Sequence, residues 1–247
     1  MAWQERLDII AKDSVHGASF LTKQAIQTLL TIQSKDELIK AAKKLQQIQP
    51  CMASLYNLGS FILQHIDTIN SSKLTAWLQN FEMQNKKAAQ KAAKVIENRH
   101  ILTHSYSSAV YEAIRLACPK KIICTESRPH NEGVALAKKL YNEGFVVELV
   151  SDAAAAIMVK EVDIVLFGAD GIAEFGLVHK VGSFAIALAA NYYQKELITI
   201  APKSKWWPKG YTLPKEQLRD PKELGCVCAK NFYFDLTPLS LITTIIN

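Results

Sequence analysis

The sequence has no long uninterrupted apolar segment. No apolar run approaches the roughly 18 residues that a membrane-spanning helix requires. The N-terminal residues MAWQERLDIIAKD mix acids and bases with apolar side chains, whereas a secretory signal peptide has a basic start and a continuous apolar centre. We therefore expect a cytoplasmic protein that makes no membrane contact.

Cysteine and glycine-rich motifs are also scarce. The five cysteines are odd in number and scattered, which argues against a disulfide framework. Cys226 and Cys228 form a C-x-C pair, but no second pair stands at a zinc-site spacing, so we expect two free thiols and no metal. No G-x-G-x-x-G follows the first predicted strand, which argues against a dinucleotide, and we predict no cofactor.

The charge pattern lacks a long basic run. The formal charge is +6, and many of the lysines stand in pairs at positions 43–44, 86–87, 120–121 and 138–139. Such pairs are typical of solvated helix surfaces, whereas a nucleic-acid surface combines clustered cations with aromatic side chains. We predict no direct nucleic-acid binding, although anionic metabolites fit the same charge.

The secondary-structure pattern changes near residue 98. Before it, apolar residues recur three or four apart, and Ser34 and Glu37 have the spacing of a capping box. After it, five short apolar runs alternate with helical patterns, which is typical of a mostly parallel sheet covered by helices. The sequence predicts an α/β protein with an N-terminal helical domain (residues 1–98) and a Rossmann-like domain (residues 99–247).

Polar residues follow each of the five predicted strands. Ligands of open α/β sheets bind beyond the carboxyl ends of the strands, where loops and helix N-termini converge. The segment HSYSS, residues 104–108, directly precedes a helix, so Ser105, Tyr106 and Ser107 outline a phosphate cradle, while helix capping by a serine is the commoner role. Arg128, after the second strand, could clamp the same anion or form a surface ion pair.

The carboxylate in VDIVLFGADGIAEFG is the most unusual feature of the sequence. Asp170 follows a predicted strand in which five of the six residues 162–167 are apolar. It has three possible roles: capping a turn, contacting a sugar hydroxyl, or acting as an acid/base group with a raised pKa. Capping is the commonest of the three. Lys180 brings a cation to the same crevice or faces solvent, and His104 and His179 are either acid/base groups or hydrogen-bonded structural residues.

Several segments together resemble one superfamily. It contains the alpha, beta and delta regulatory subunits of eukaryotic translation initiation factor 2B, ribose-1,5-bisphosphate isomerase and methylthioribose-1-phosphate isomerase. The similarity covers residues 95–208, and VHGASFLTKQAI resembles the family's arginine-glycine-alanine segment, with His16 in place of the arginine before Gly17. The segments are ILTHSYSSAV, TESRPHNEGVALAKKL, LVSDAAAAIMVKEVDIVLFGADGIAEFGLVHKVGSFAIALAA and TIAPKSKWWP.

The resemblance implies a sugar-phosphate pocket between the two domains and a homodimer formed through the Rossmann-like domain. In the isomerases of this superfamily, a cysteine and an aspartate transfer protons between an aldose 1-phosphate and a ketose. The aspartate corresponds to Asp170, whereas the cysteine position holds Ser105, whose hydroxyl is far less acidic than a thiol of pKa about 8.5. The asparagine-lysine pair of the isomerases reads His179-Lys180.

Three functions follow from this comparison. The first is a regulatory or non-catalytic protein, like initiation factor 2B, that binds a phosphorylated sugar or nucleotide. The second is an enzyme, an intramolecular oxidoreductase of the aldose-ketose isomerase type, with Asp170 as acid/base, a weak catalytic role for Ser105, and a histidine as substitute partner. The third is a structural subunit of a larger hetero-assembly. The predicted ligand-binding residues are His16, Gly17, His104, Ser105, Tyr106, Ser107, Arg128, Asp170, His179 and Lys180.

Overall fold

The computed structural model describes residues 1–247, and its N-terminal part is helical. Ser34 accepts a hydrogen bond from the Glu37 N–H at 3.4 Å, so the predicted cap starts its helix, and Asn70 caps the longest helix through the Lys73 N–H at 3.0 Å. No helix in the chain combines the length and the apolar character that crossing a bilayer demands. The helices are α1 (Trp3–Lys12), α2 (Ala18–Leu29), α3 (Lys35–Leu45), α4 (Ala53–Gln64) and α5 (Ser71–Ile96).

A six-stranded parallel sheet follows the helices, and the predicted α/β architecture is confirmed. Its spatial order is β3-β2-β1-β4-β7-β9, and every neighbouring pair is parallel. The strands are β1 (His100–Thr103), β2 (Lys121–Thr125), β3 (Val147–Val150), β4 (Ile164–Phe167), β7 (Glu196–Ile200) and β9 (Thr244–Ile246). The connecting helices are α6 (Ser108–Ala117), α7 (Glu132–Asn142), α8 (Ala155–Met158) and α9 (Ser183–Tyr192).

Both faces of this sheet are covered because side chains alternate along each strand. Ile101 and Ile122 pack in one core with residues of α5, α6 and α7, whereas Leu102 and Ile123 pack in a second core with residues of α8 and α9. Leu102 is fully buried. Replacing such a leucine by alanine typically costs about 2–5 kcal/mol, so these alternating residues hold the layers together.

The packing does not divide the chain where the secondary structure changes. Helix α5 ends at Ile96 and β1 begins at His100, close to the expected boundary at residue 98. The C-terminal half of α5, however, buries Ala88, Ala92 and Ile96 in the core of the sheet, while Leu74 at its start packs with the other helices. The alanine-rich end of α5 therefore ties the helical region to the sheet.

A second, antiparallel sheet was not predicted from the sequence. It contains β5 (Gly171–Ala173), β6 (Gly176–Lys180) and β8 (Phe234–Thr237), in the order β5-β6-β8. Strand β5 has only three residues, and the partner of Leu177 is Thr237, far along the chain. Short strands and distant pairing leave little periodic signal. This small sheet carries His179 and Lys180 to the edge of the large one.

The order of the strands fixes where a ligand can bind. From β1 the chain moves outward in one direction through β2 and β3, and β4 then starts on the other side of β1. Open α/β sheets bind ligands at this reversal, outside the carboxyl ends of the two central strands. Here those ends are Thr103 and Phe167, so the segments 104–108 and 168–170 face the same crevice.

Candidate functional site

A cavity of about 460 Å³ lies at this strand reversal. Its walls come from the helical region, from the loops after β1, β4 and β7, and from β6. Eight of the ten residues predicted from the sequence line it: His16, Gly17, Ser105, Tyr106, Ser107, Asp170, His179 and Lys180. The two that do not line the cavity are His104 and Arg128.

Two helix N-termini open into the cavity. Ser107 caps α6 by accepting from the Val110 N–H at 3.4 Å, and the N–H groups of Ser108 and Ala109 have no acceptor in the chain. Gly17 caps α2 without a side chain, which leaves the first N–H groups of that helix free as well. A Cβ on Gly17 would lie 3.7 Å from the Tyr106 carbonyl oxygen, so the two helix starts are neighbours. Free N–H donors at two neighbouring helix starts are an arrangement that suits an anion.

Gly168 allows β4 to approach the start of α6. A Cβ at this position would lie 2.4 Å from Ser107 Oγ and 2.5 Å from Ser107 Cβ, closer than side-chain atoms can pack. The absence of a side chain at Gly168, two residues before Asp170, therefore permits the close contact with Ser107.

Asp170 is held by its backbone, while its side chain is free. Its N–H donates to the Val178 carbonyl at 3.0 Å, and its own carbonyl accepts from the Ala53 N–H at 2.9 Å. The carboxylate lies deep in the protein with part of its surface facing the cavity, and no side-chain hydrogen bond or ion pair reaches it. Burial raises its pKa from 3.8 to about 6, against the opposing effect of the lysines at 205 and 180, and Glu132 raises it further.

Lys205 is the cation that faces Asp170. It follows β7, is only 5% exposed, and has no hydrogen-bond acceptor in the chain. Burial lowers its pKa from 10.5 to about 8, although the Asp170 charge acts in the opposite direction. A buried carboxylate and a buried ammonium that share a cavity without a direct bond are both available to a ligand that fits between them.

Ser105, Glu132 and Lys180 form a connected group at the floor of the cavity. Ser105 has a left-handed φ of 69°, which is uncommon outside glycine, and its N–H donates to Ser127 Oγ at 2.8 Å. Its hydroxyl donates to Glu132 Oε1 at 3.1 Å, and Lys180 Nζ lies 2.8 Å from the same oxygen. Glu132 thus holds both predicted site residues in place.

His179 is neutral, and one of its ring nitrogens, Nε2, is a hydrogen-bond acceptor. Ser183 Oγ donates to the Lys180 carbonyl at 2.6 Å, so the contact of 2.8 Å between Ser183 Oγ and His179 Nδ1 requires a proton on Nδ1. Burial, together with the nearby His104, Lys180 and Lys205, lowers the pKa of His179 well below 6.5. Its Nε2 therefore carries a lone pair at neutral pH.

His104 does not line the cavity and has no free nitrogen for a ligand. Its Nε2 donates to the Val181 carbonyl at 2.8 Å, and its Nδ1 accepts from the Thr125 hydroxyl. Burial lowers its pKa, which keeps the ring neutral. The surroundings of His104 therefore fit the second of its two possible roles, that of a hydrogen-bonded structural residue between strand ends.

Arg128 also lies away from the cavity. Its guanidinium Nη2 donates to the Glu223 carbonyl at 2.9 Å, and its backbone N–H donates to Asp152 Oδ2 at 2.7 Å. Arg128 therefore does not line the cavity that Ser105, Asp170 and Lys180 share. A position after a strand places a residue at the sheet edge without fixing the direction of a long side chain.

His16 stands at the outer end of the cavity. Its Nδ1 lies 2.8 Å from Asp13 Oδ2, and its ring stacks on Phe20 with centroids 4.1 Å apart. The side chain is about half exposed. His16 is therefore positioned beside the start of α2, where the resemblance placed an arginine.

Sequence reasoning missed four charged residues that line the cavity: Asp13, Glu132, Lys139 and Lys205. A signal for Glu132 existed, because it begins the helix that follows β2 at the same sheet edge. Lys205 stands in the polar segment after β7. No group of three or more His, Cys, Asp or Glu side chains is arranged to hold a metal ion. Cys226 and Cys228 are exposed free thiols.

Solved structures share this architecture. The crystal structure of the Pyrococcus horikoshii translation initiation factor eIF-2B matches with a TM-score of 0.87 at 28% identity, over 99% of this chain and 94% of that one. The 5-methylthioribose 1-phosphate isomerase of the same organism matches with a TM-score of 0.72 over 100% of this chain and 83% of that one. At 22% identity, the second match shows the fold alone.

Relatives in sequence carry two kinds of name. The ribose 1,5-bisphosphate isomerase of Methanocaldococcus jannaschii is 33% identical over 86% of this chain and 75% of its own length. The eIF-2B subunit 2-like translation initiation factor of Pyrococcus horikoshii is 30% identical over 98% of this chain and 93% of its own. The pattern described as the initiation factor 2 subunit family matches residues 14–247. The chain therefore belongs to the initiation factor 2 subunit family.

Proposed function

We propose that this protein binds a phosphorylated sugar or nucleotide in the cavity and acts as a regulatory, non-catalytic member of its family. One observation carries the proposal. The unpartnered side chains of Asp170 and Lys205 face a cavity whose other wall contains two helix N-termini with free N–H groups. Free donors at helix N-termini suit a phosphate, and a buried carboxylate beside an ammonium suits sugar hydroxyls.

The phosphate end of the ligand lies at the starts of α2 and α6. The N–H groups of Ala18, Ser19, Ser108 and Ala109 have no acceptor in the chain and are available to phosphate oxygens. The positive ends of both helix dipoles add to this attraction. Lys139, which also lines the cavity and lies 4.0 Å from the centre of the Tyr111 ring, supplies a cation close by.

The sugar end of the ligand lies against Asp170, His179 and Lys205. A hydroxyl donates to the carboxylate or to His179 Nε2 and accepts from the ammonium, so each of the three groups gains the partner that the protein does not provide. Buried polar groups without partners are costly, and this cost is recovered when the ligand binds.

Ser105 is the reason to favour binding over turnover. An alcohol is far less acidic than a thiol with a pKa of about 8.5, so a serine does not exchange a proton readily at neutral pH. The Ser105 hydroxyl also donates to Glu132, which holds it in a structural hydrogen bond.

Aldose-ketose isomerisation is the second candidate function, and one observation favours it. With a pKa of about 6, Asp170 is able to accept and return a proton near neutral pH, as a general acid/base group must. The isomerase named among the sequence relatives adds support. In this case Asp170 is the acid/base group and the protein is an intramolecular oxidoreductase.

A homodimer in the cytoplasm is part of the proposal. Helix α9 is mostly apolar, and Phe184, Leu188 and Tyr192, four residues apart, are 39%, 47% and 80% exposed. Leu236 on the adjoining β8 is 41% exposed. An apolar helix face of this kind is usually covered in the assembled protein, and we assign it to a second copy of the chain. A larger hetero-assembly would use the remaining surface.

A melting-temperature screen tests the proposal. Ribose 1,5-bisphosphate, methylthioribose 1-phosphate and nucleoside monophosphates are added at about one hundred times the dissociation constant, where binding to the native state adds about 2.7 kcal/mol. We expect at least one to raise the melting temperature of the wild type and not that of Asp170→Asn. Failure of all of them to stabilise the wild type would exclude the proposed function.

A further inference from the structure

The proposed function assigns no ligand contact to Glu132. This residue begins α7, its side chain is 16% exposed, and its Oε1 accepts from Ser105 Oγ at 3.1 Å and from Lys180 Nζ at 2.8 Å. Its second oxygen, Oε2, is buried and has no hydrogen-bond partner. The acceptor capacity of this carboxylate is therefore only half used within the chain.

The charges at the floor of the cavity cancel. Two carboxylates, Asp170 and Glu132, and two ammonium groups, Lys180 and Lys205, line the same cavity. Glu132 and the two lysines each influence the charge state of Asp170. His179 adds no charge because both its buried position and its neighbours keep it neutral. The floor consequently offers no surplus positive charge to an anion.

The outer end of the cavity differs from the floor. The carboxylate of Asp13 is already occupied, with Oδ1 accepting from the N–H groups of Val15 and His16 and Oδ2 paired with the His16 ring. The free N–H groups at the starts of α2 and α6 remain available there. The cavity thus has one end suited to a phosphate and one end suited to neutral hydroxyl groups.

A second phosphate at the floor would meet Glu132. Any anion that binds Lys180 Nζ comes within a few ångströms of the carboxylate that lies 2.8 Å from the same nitrogen. Juxtaposed like charges in a poorly solvated site repel each other strongly. Phosphate oxygens are also acceptors, so unlike a hydroxyl they cannot donate a hydrogen bond to a carboxylate.

We infer that Glu132 is a specificity-determining residue that limits the cavity to ligands with a single phosphoryl group, whose hydroxyl-bearing end lies at the floor. The inference rests on the proposed function, since it concerns the same cavity. It selects, among phosphorylated sugars and nucleotides, the sugar monophosphates and nucleoside monophosphates over the bisphosphates.

Calorimetric titration with ribose 5-phosphate and ribose 1,5-bisphosphate tests the inference. We expect the wild type to bind the monophosphate more tightly. In Glu132→Gln, which keeps the shape and removes the charge, the ratio of the two affinities should shift toward the bisphosphate by at least about tenfold. Glu132→Asp keeps the charge and should keep the preference for the monophosphate.

Glu148→Gln is the matched control. Glu148 pairs with Lys121 at 2.7 Å, as Glu132 does with Lys180, but it lies on β3 outside the cavity. The variant changes the net charge equally and should leave the affinity ratio at the wild-type value. An equal shift in Glu148→Gln would show that net charge is the cause and would overturn the inference.

The outcomes separate this inference from the proposed function. Tighter binding of the bisphosphate by the wild type, or an unchanged ratio in Glu132→Gln, overturns the role of Glu132 and leaves sugar-phosphate binding intact. Absence of binding of both ligands to the wild type overturns both. Because the preference of the wild type is itself decisive, the inference is testable even if Glu132→Gln does not fold.

Discussion

The backbone N–H of Ala53, at the start of α4, donates a 2.9 Å hydrogen bond to the carbonyl oxygen of Asp170. This bond joins the helical region to the loop that carries the carboxylate of the cavity. Because the Asp170 N–H is bound to Val178 on β6, the residue is fixed from both sides. The position of its side chain therefore depends on the helical region as well as on the sheet.

Asp170→Asn should stabilise the ligand-free protein at neutral pH. Burial raises the pKa of Asp170 from 3.8 to about 6, so the folded state disfavours the ionised form, and wild-type stability falls as the pH rises from about 4 to above 6. At one pKa unit per about 1.36 kcal/mol, the gain in the variant is on the order of 3 kcal/mol at pH 7. Denaturant unfolding between pH 4 and pH 8 measures it.

The control for this variant is Asp67→Asn, which removes a surface carboxylate paired with Lys35. We expect little change there at any pH. If Asp170→Asn were less stable than the wild type at pH 7, or if its advantage persisted at pH 4, the assigned protonation behaviour would be wrong.

Gly168→Ala should destabilise the protein by about 1–3 kcal/mol and distort the cavity. The added Cβ would stand 2.4 Å from Ser107 Oγ, so the cap of α6 or the loop after β4 has to move. Gly17→Ala, whose Cβ would stand 3.7 Å from its nearest neighbour, is the control and should cost much less. Thermal unfolding of the two variants shows the difference, and equal melting temperatures would contradict this packing argument.

Leu188→Asp should convert the proposed dimer to a monomer. The residue is 47% exposed at the centre of the apolar face of α9, and a carboxylate there would be desolvated in a dimer interface. Leu116→Asp, at a 49% exposed position on α6, should leave the oligomeric state unchanged. Sedimentation velocity distinguishes the species. A monomeric wild type, or a dimeric Leu188→Asp, would place the contact elsewhere or exclude it.

The wild type should not convert ribose 1,5-bisphosphate or methylthioribose 1-phosphate. Ser105→Cys should gain measurable turnover, because a thiol exchanges protons near neutral pH far more readily than a hydroxyl. Ser108→Cys also places a thiol in the cavity wall and should remain inactive. Product formation is followed by phosphorus NMR. Turnover by the wild type that disappears in Asp170→Asn would establish the second candidate function instead.

Much of the fold was predictable because its signals are local. The apolar runs before Ser105, Asp170 and Lys205 each became a buried parallel strand, and the period-three-or-four pattern before residue 98 became five helices. The small sheet of β5, β6 and β8 escaped prediction because its strands are short and its β6–β8 pairing joins residues nearly sixty positions apart. Local periodicity carries no information about such pairing.

The site was predictable in position but only partly in composition. The rule that ligands bind beyond the carboxyl ends of parallel strands correctly placed Ser105 and Asp170 around one cavity. It failed for Arg128, whose guanidinium turns to the Glu223 carbonyl, and Glu132 was overlooked although it begins the helix after β2. Side-chain direction and charge pairing depend on tertiary contacts, which a strand-end argument does not include.

Calorimetric titration of Lys205→Met tests the central claim most directly. Lys205 is buried, faces Asp170 and has no partner in the chain, whereas Lys203, two residues earlier, is exposed and makes Lys203→Met the control. We predict that the wild type and Lys203→Met bind a sugar phosphate or nucleoside monophosphate at one site per chain, and that Lys205→Met binds it at least about tenfold more weakly. Equal affinities in all three proteins, or no binding by the wild type, would contradict the account.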